Sequence, residues 1–207
     1  MAARIDYAKL WSLGLLHMAQ YFPAAFTAVA LPALFRQAGL PLEMFWLLAL
    51  PAIPRWLKWL IALAVDNYGS PRIGVRKSWI IPCTTLGALL YFSLSFLEPT
   101  LAMVYVIVGI LVVKSFIMAA QDVAVDGFAT ESMTDADRTI GTSIIIFLAA
   151  FGGIVGASLT AVVEQIGWSN TMMIASGLLV AAAVPAILRK EPPPPAATRD
   201  RREKGER

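Results

Sequence analysis

Two carboxylates, Asp122 and Asp126, stand four residues apart near the end of a run that is otherwise apolar from Leu101 onward. Arg55 and Lys58 lie three residues apart in a second apolar run, and Lys114 precedes the acids by about two helical turns. An ionised group near the centre of a bilayer costs roughly 2.5 to 3.5 kcal/mol on insertion scales, so five such groups sum to about 12 to 17 kcal/mol. They must be paired, hydrated or close to the interface. Intramembrane carboxylates that change protonation are usual parts of proton relays, which makes these acids candidates for binding or proton coupling. Along a helix Lys58 lies about 12 Å from Asp66, and Asp122 about 6 Å from Asp126. If the two aspartates Asp66 and Asp126 mark similar depths, Lys58 reaches Asp122, so we expect a Lys58–Asp122 pair facing an interior. Lys114, Met118, Gln121, Asp122 and Asp126 share one arc of roughly 140° on the helical wheel. The plainer role for the pair is to orient two helices.

His17, Gln20 and Tyr21 follow the i, i+3, i+4 pattern and share one helical face, which either lines a cavity or hydrogen-bonds a neighbouring helix. Asp66 closes its apolar run, placed to accept hydrogen bonds from the free N–H groups at another helix's N-terminus. With Gly69, Arg76 and Lys77 it forms a candidate cytoplasmic gate. Gly152, Gly153 and Gly156, with Ala157, make small-xxx-small faces suited to close helix packing, or to a hinge.

The elements that must carry these groups are long and apolar. Hydrophobic residues make up 58% of the 207 and charged residues 15%, which points to an integral membrane protein rather than a soluble domain. We expect an all-α fold of six spans, at about 11–35, 44–65, 79–96, 101–129, 139–163 and 171–188, after a short leader over 1–10. The first apolar run is too long for a cleaved signal and reads as a retained span. Beyond residue 188 four prolines and a run of charges predict a disordered cytoplasmic tail. With both termini on one side, Arg4, Lys9, Arg72, Arg76, Lys77 and Arg138 face only Arg36 opposite, which puts the termini in the cytoplasm. The net charge of +3 therefore reflects topology, and no nucleic-acid partner is expected. Cys83 is a lone core cysteine. No nucleophile–base pair, metal cluster or phosphate-cradling glycine loop is evident, so the sequence predicts no enzyme, cofactor or metal.

Two ordered blocks carry a resemblance. PRWLKWLIALAVDNYG over Pro54–Gly69, with RKSWI over Arg76–Ile80, resembles the span 2 to span 3 signature of the major facilitator superfamily, in the variety of AmpG-type muropeptide permeases and acetyl-CoA transporters. QDVAVDGFATE over Gln121–Glu131 is similar to the same group's span 4 signature, and RTIG over Arg138–Gly141 to its approach to span 5. Two positions depart: Ala129 stands where relatives carry an arginine, and Leu63 where they carry a proline.

The resemblance implies one half of a twelve-span fold whose halves are parallel repeats. The expected function is a half-size secondary transporter in a bacterial inner membrane, proton-coupled, moving a small organic solute by alternating access. Its lipid-exposed cavity face calls for a second copy in a parallel C2 dimer or for a separate partner half. In the dimer Asp66 would cap span 5 of the other copy near Thr139. The alternative is a non-transporting scaffold subunit of a larger membrane complex.

Overall fold

Proline and glycine placement decides where this apolar chain stays helical and where it breaks. A computed structural model describes residues 5–70 and 72–191. The leader's first four residues, Arg4 among them, and residues 192–207 of the disordered tail expected from 189 lie outside the described residues, whereas Arg189 and Glu191, the tail's start, are held by Asp6, Arg76 and Lys77. Helix α1 runs Tyr7–Gln37, capped by the Asp6 carboxylate on the Lys9 N–H, and stays continuous through Pro23 and Pro32.

The second predicted span is not one helix. It is a 3₁₀ stretch, Leu42–Ala52, followed by α2, Ile53–Trp56, and α3, Lys58–Asn67, with a 43° bend at Leu57. Pro51 and Pro54 each lack the N–H that an α-helix would use here, which explains the tighter, interrupted path. Arg55 and Lys58 therefore belong to different helices, not to one continuous stripe.

Then come α4, Lys77–Leu94, a 3₁₀ turn at Leu101–Met103, α5, Val104–Ser132, α6, Asp135–Ile166, and α7, Trp168–Leu188. The gap expected between spans at about 101–129 and 139–163 shrinks to Met133 and Thr134. Thr134 and Asp137 form a capping box, and the first-turn acids Asp135 and Asp137 suit the positive end of the α6 dipole. Gly167, at φ +82°, makes the reversal into α7 in a conformation that a side chain would strain.

Among the described residues four helical stretches are long and apolar enough to cross a bilayer, Tyr7–Gln37, Leu101–Ser132, Asp135–Ile166 and Trp168–Leu188, and the bent pair makes a fifth candidate. Helix α4 has 18 residues, roughly 27 Å, but opens on Lys77 and Ser78 and carries Thr84 and Thr85, so its apolar content is lower.

Helix α1 packs most extensively on α6, and α4 on both α5 and α7. One apolar cluster gathers Phe22, Phe26, Phe35, Tyr91, Trp168 and Leu179; a second gathers Leu13, Leu16, Val65, Ile80, Val125 and Phe128. At one pole Trp168 Nε1 donates to Leu94 O at 2.8 Å, joining the end of α4 to the start of α7. At the other pole, ion pairs join the start of α1 to α6 (Lys9–Asp137, 2.5 Å) and the end of α7 to the residue before α1 (Arg189–Asp6, 3.3 Å).

Candidate functional site

Lys58 is the first residue of α3, where the dipole disfavours a cation. Two anions compensate: Lys58 Nζ lies 2.8 Å from Asp122 Oδ2 and 2.7 Å from Asp126 Oδ2. The spacing pointed to Asp122; that Asp126, one turn on, shares the same ammonium comes from the structure. Lys58 and Asp122 are about a third exposed and Asp126 about half, so the cluster is open to water.

His17 adds a fourth group. Its Nδ1 is 2.9 Å from Leu13 O, and because a carbonyl oxygen only accepts, Nδ1 carries hydrogen. Nε2 is then left facing Asp126 Oδ1 at 3.3 Å. A proton on Nε2 or on the carboxyl would turn this proximity into a hydrogen bond. Three helices, α1, α3 and α5, thus assemble two carboxylates, one ammonium and one imidazole. Lys58 and Asp122 border an adjoining space.

That space is a cavity of about 610 Å³, walled in part by Gln20, Tyr21, Arg55, Lys58, Lys114 and Asp122. The His17 face of α1 is therefore divided between the charged cluster at His17 and the cavity wall at Gln20 and Tyr21. Both side-chain polar atoms of Gln20 lack a hydrogen-bond partner among the described residues. Arg55 forms no ion pair among them. Gln121 departs from the expected polar face. It is fully buried and turns to α4, where its Nε2 donates to Thr84 Oγ1 at 2.5 Å. It stands at the edge of the arc, and a hydroxyl on α4 offers what the cavity side does not.

Lys114 is the least compensated charge. It is 3% exposed, and its Nζ meets Tyr91 Oη at 3.3 Å and the Tyr91 ring face at 4.9 Å from the centroid. Tyr91 and Thr27 both donate to Pro23 O, at 2.9 and 2.8 Å. Burying an ammonium with no counter-charge costs several kcal/mol, which a ring face offsets only in part. Tyr91 was not singled out in the sequence; a tyrosine inside an otherwise charge-free span, whose buried hydroxyl needs a partner, was the available signal.

The candidate gate residues meet on the charged pole. Within the chain Asp66 Oδ1 takes Arg76 Nη1 at 2.6 Å, an ion pair the sequence reading, which gave Asp66 to a helix N-terminus, did not include. Arg76 also donates from Nε and Nη2 to Glu131 Oε1, at 3.1 and 2.8 Å, tying the α3–α4 loop to the end of α5. Half-burial pulls the guanidinium's pKa down, but Glu131 and Asp66 outweigh it and hold the pKa above its ordinary value.

Lys77 Nζ donates to Ile187 O at 2.7 Å and to Arg189 O, closing the carbonyl end of α7. Glu191 returns the arrangement, accepting from the Arg76 and Lys77 N–H groups at 2.9 and 3.0 Å at the start of α4. Gly69 lies where a Cβ would meet Val75, and a Cβ at Gly127 would enter the Arg76 guanidinium. Glu131, Gly127 and Glu191 escaped the sequence reading because their partners are 55 or more residues away or meet only through space.

Two of the three packing glycines do pack. A Cβ at Gly156 would overlap Phe22 O, and one at Gly152 would sit 2.9 Å from Met18 O, so both let the α1 backbone approach α6. Gly153 does not pack: nothing lies within 4 Å of its Cβ position, and it lines the cavity instead, because successive helical residues point about 100° apart.

With this geometry in view, the comparisons with known proteins are specific. The profile described as Major Facilitator Superfamily matches residues 13–207. Anhydromuropeptide permeases of Escherichia coli, strains K12 and O157:H7, are each 24% identical over 168 residues, covering 80% of this chain and 34% of the relative. An uncharacterized protein of Haemophilus influenzae is 25% identical over 130 residues, covering 63% of this chain and 30% of its own length. The chain belongs to the major facilitator superfamily and is an integral, multi-pass membrane protein. It spans about a third of the length of these relatives.

Proposed function

We propose that this chain forms a six-crossing unit of a proton-coupled secondary transporter that moves a small organic solute by alternating access. The observation that carries the reading is the Lys58–Asp122–Asp126–His17 cluster beside the cavity, where an imidazole and a carboxylate stand close enough to share a proton. Protonation of an acid weakens its hold on Lys58 and loosens the contact between α3 and α5. The Arg76 ion pairs with Asp66 and Glu131 act as the cytoplasmic latch that alternates with this event.

The topology that goes with this function has six crossings, both termini in the cytoplasm and a bacterial inner membrane as its site. The start of α1, the end of α3, the start of α4, the ends of α5 and α7 and the start of α6 are all joined by ion pairs or hydrogen bonds of charged residues, which supports an even number of passes. The cavity is completed by a second six-crossing unit, either a parallel copy of this chain about a C2 axis or a separate partner half. An anhydromuropeptide is the first solute to try, given the E. coli permeases.

The test is uptake into proteoliposomes under an inward proton gradient. Wild type accumulates the solute and Asp122→Asn does not, while the size of the complex in mild detergent reports the second unit. Absence of gradient-driven uptake of any solute in the wild type, with fixed-stoichiometry capture of unrelated membrane subunits, would instead favour the scaffold. The apolar, buried Ala129 in the place of the family's arginine is what keeps that second reading in play.

A further inference from the structure

The cavity holds three cations, and they are not equivalent. Lys58 is already shared by two carboxylates. Arg55 is exposed. Lys114 alone is withdrawn from solvent, at 3% exposure, and no carboxylate lies within ion-pair distance of it among the described residues. Of its three protons, one is directed to Tyr91 Oη, whose own hydrogen is committed to Pro23 O. Two donors and a full charge remain at the wall of the cavity. Gln20, on the same wall, keeps its amide donors and acceptor unmatched.

We propose that Lys114, assisted by the Gln20 amide, is the anchoring site for a carboxylate of the transported solute. The inference rests on the transporter reading and names the chemistry of its cargo. One uncompensated cation and an unpartnered amide lining the same cavity suit a single negative charge with two acceptor oxygens, because the ammonium supplies a point charge and the amide a directional donor. Tyr91 positions this ammonium: its ring face and hydroxyl hold the lysine stem against α4, so the charge is fixed before the solute arrives. Lys58 then belongs to the proton-exchanging cluster and Lys114 to the cargo, which separates coupling from recognition along two turns of α5.

The test uses the full chain in mild detergent, with thermal unfolding followed by tryptophan fluorescence, and lactate against lactamide as probes at matched ionic strength. The wild type shows a saturable rise in midpoint of about 2 to 4 °C with lactate and none with lactamide, as expected for a ligand that binds only the folded state. Lys114→Met loses the lactate response, and its unliganded midpoint is equal to or above that of the wild type because an uncompensated charge has gone. Lys114→Arg keeps the response, and Gln20→Leu, which leaves the lysine in place, weakens it. An unchanged lactate response in Lys114→Met, an equal response to lactamide, or no response of the wild type up to the solubility limit would each overturn the proposal. Failure of uptake with the Lys114-dependent lactate response intact would remove the transporter reading and leave the carboxylate site standing.

Discussion

Replacing Lys58 by methionine keeps the length of the stem and removes the charge that two acids share. Removing one partner from a buried ion pair costs about 3 to 5 kcal/mol, whereas an exposed pair is worth about 0.2 to 1 kcal/mol. With Lys58 and Asp122 a third exposed and Asp126 half exposed, the site falls between these limits. We expect Lys58→Met to destabilise the protein by about 2 kcal/mol, interpolated between the two classes. Adding Asp122→Asn and Asp126→Asn removes the stranded anions, so the triple variant recovers at least half of the loss. Denaturant titration in dodecyl maltoside, read by tryptophan fluorescence, gives the double-mutant cycles. Additive effects, with couplings below about 0.5 kcal/mol, would show that the three side chains do not interact, and the cluster would have no energetic meaning.

Other sites give sharper contrasts. Gly156→Ala places a methyl on Phe22 O and should cost about 1 to 3 kcal/mol, while Gly153→Ala, which faces open space, stays within about 0.5 kcal/mol of wild type in the same titration. Gly127→Ala pushes the Arg76 guanidinium off Glu131; hydrogen exchange of the 68–76 segment should rise, and Glu131→Gln should raise it by a similar factor. Tyr91→Phe removes the hydroxyl between Lys114 and Pro23 O and is expected to cost about 1 to 3 kcal/mol by leaving buried groups unmatched, again measured by unfolding.

The membrane character, the long helices and the pair of marked aspartates are legible in the sequence because they rest on local periodicity and on the cost of charge in lipid. The break at Leu57 was foreshadowed by Pro51 and Pro54, yet the apolar run hid it, since a hydropathy pattern does not distinguish a straight span from a bent one. Gln121 and Gly153 show the limit of helical-wheel reasoning. A residue at the margin of a face goes wherever a partner exists, which for Gln121 is Thr84 and for Gly153 is no neighbour at all. Arg76 shows another limit: its motif marks it as a gate residue, but Glu131 and Gly127 become its partners only when α5 folds beside the α3–α4 loop. The His17–Asp126 contact joins residues more than a hundred positions apart, so no local pattern announces it.

That contact is also where the account is most directly tested. Infrared difference spectra between acid and alkaline pH, recorded on the protein in lipid, should show an exchangeable band, a carboxylic acid C=O stretch or an imidazolium ring mode, that is lost in both His17→Gln and Asp126→Asn. The same spectrum in all three proteins, with neither band dependent on His17 and Asp126, would contradict a proton held between α1 and α5 in a wet cavity.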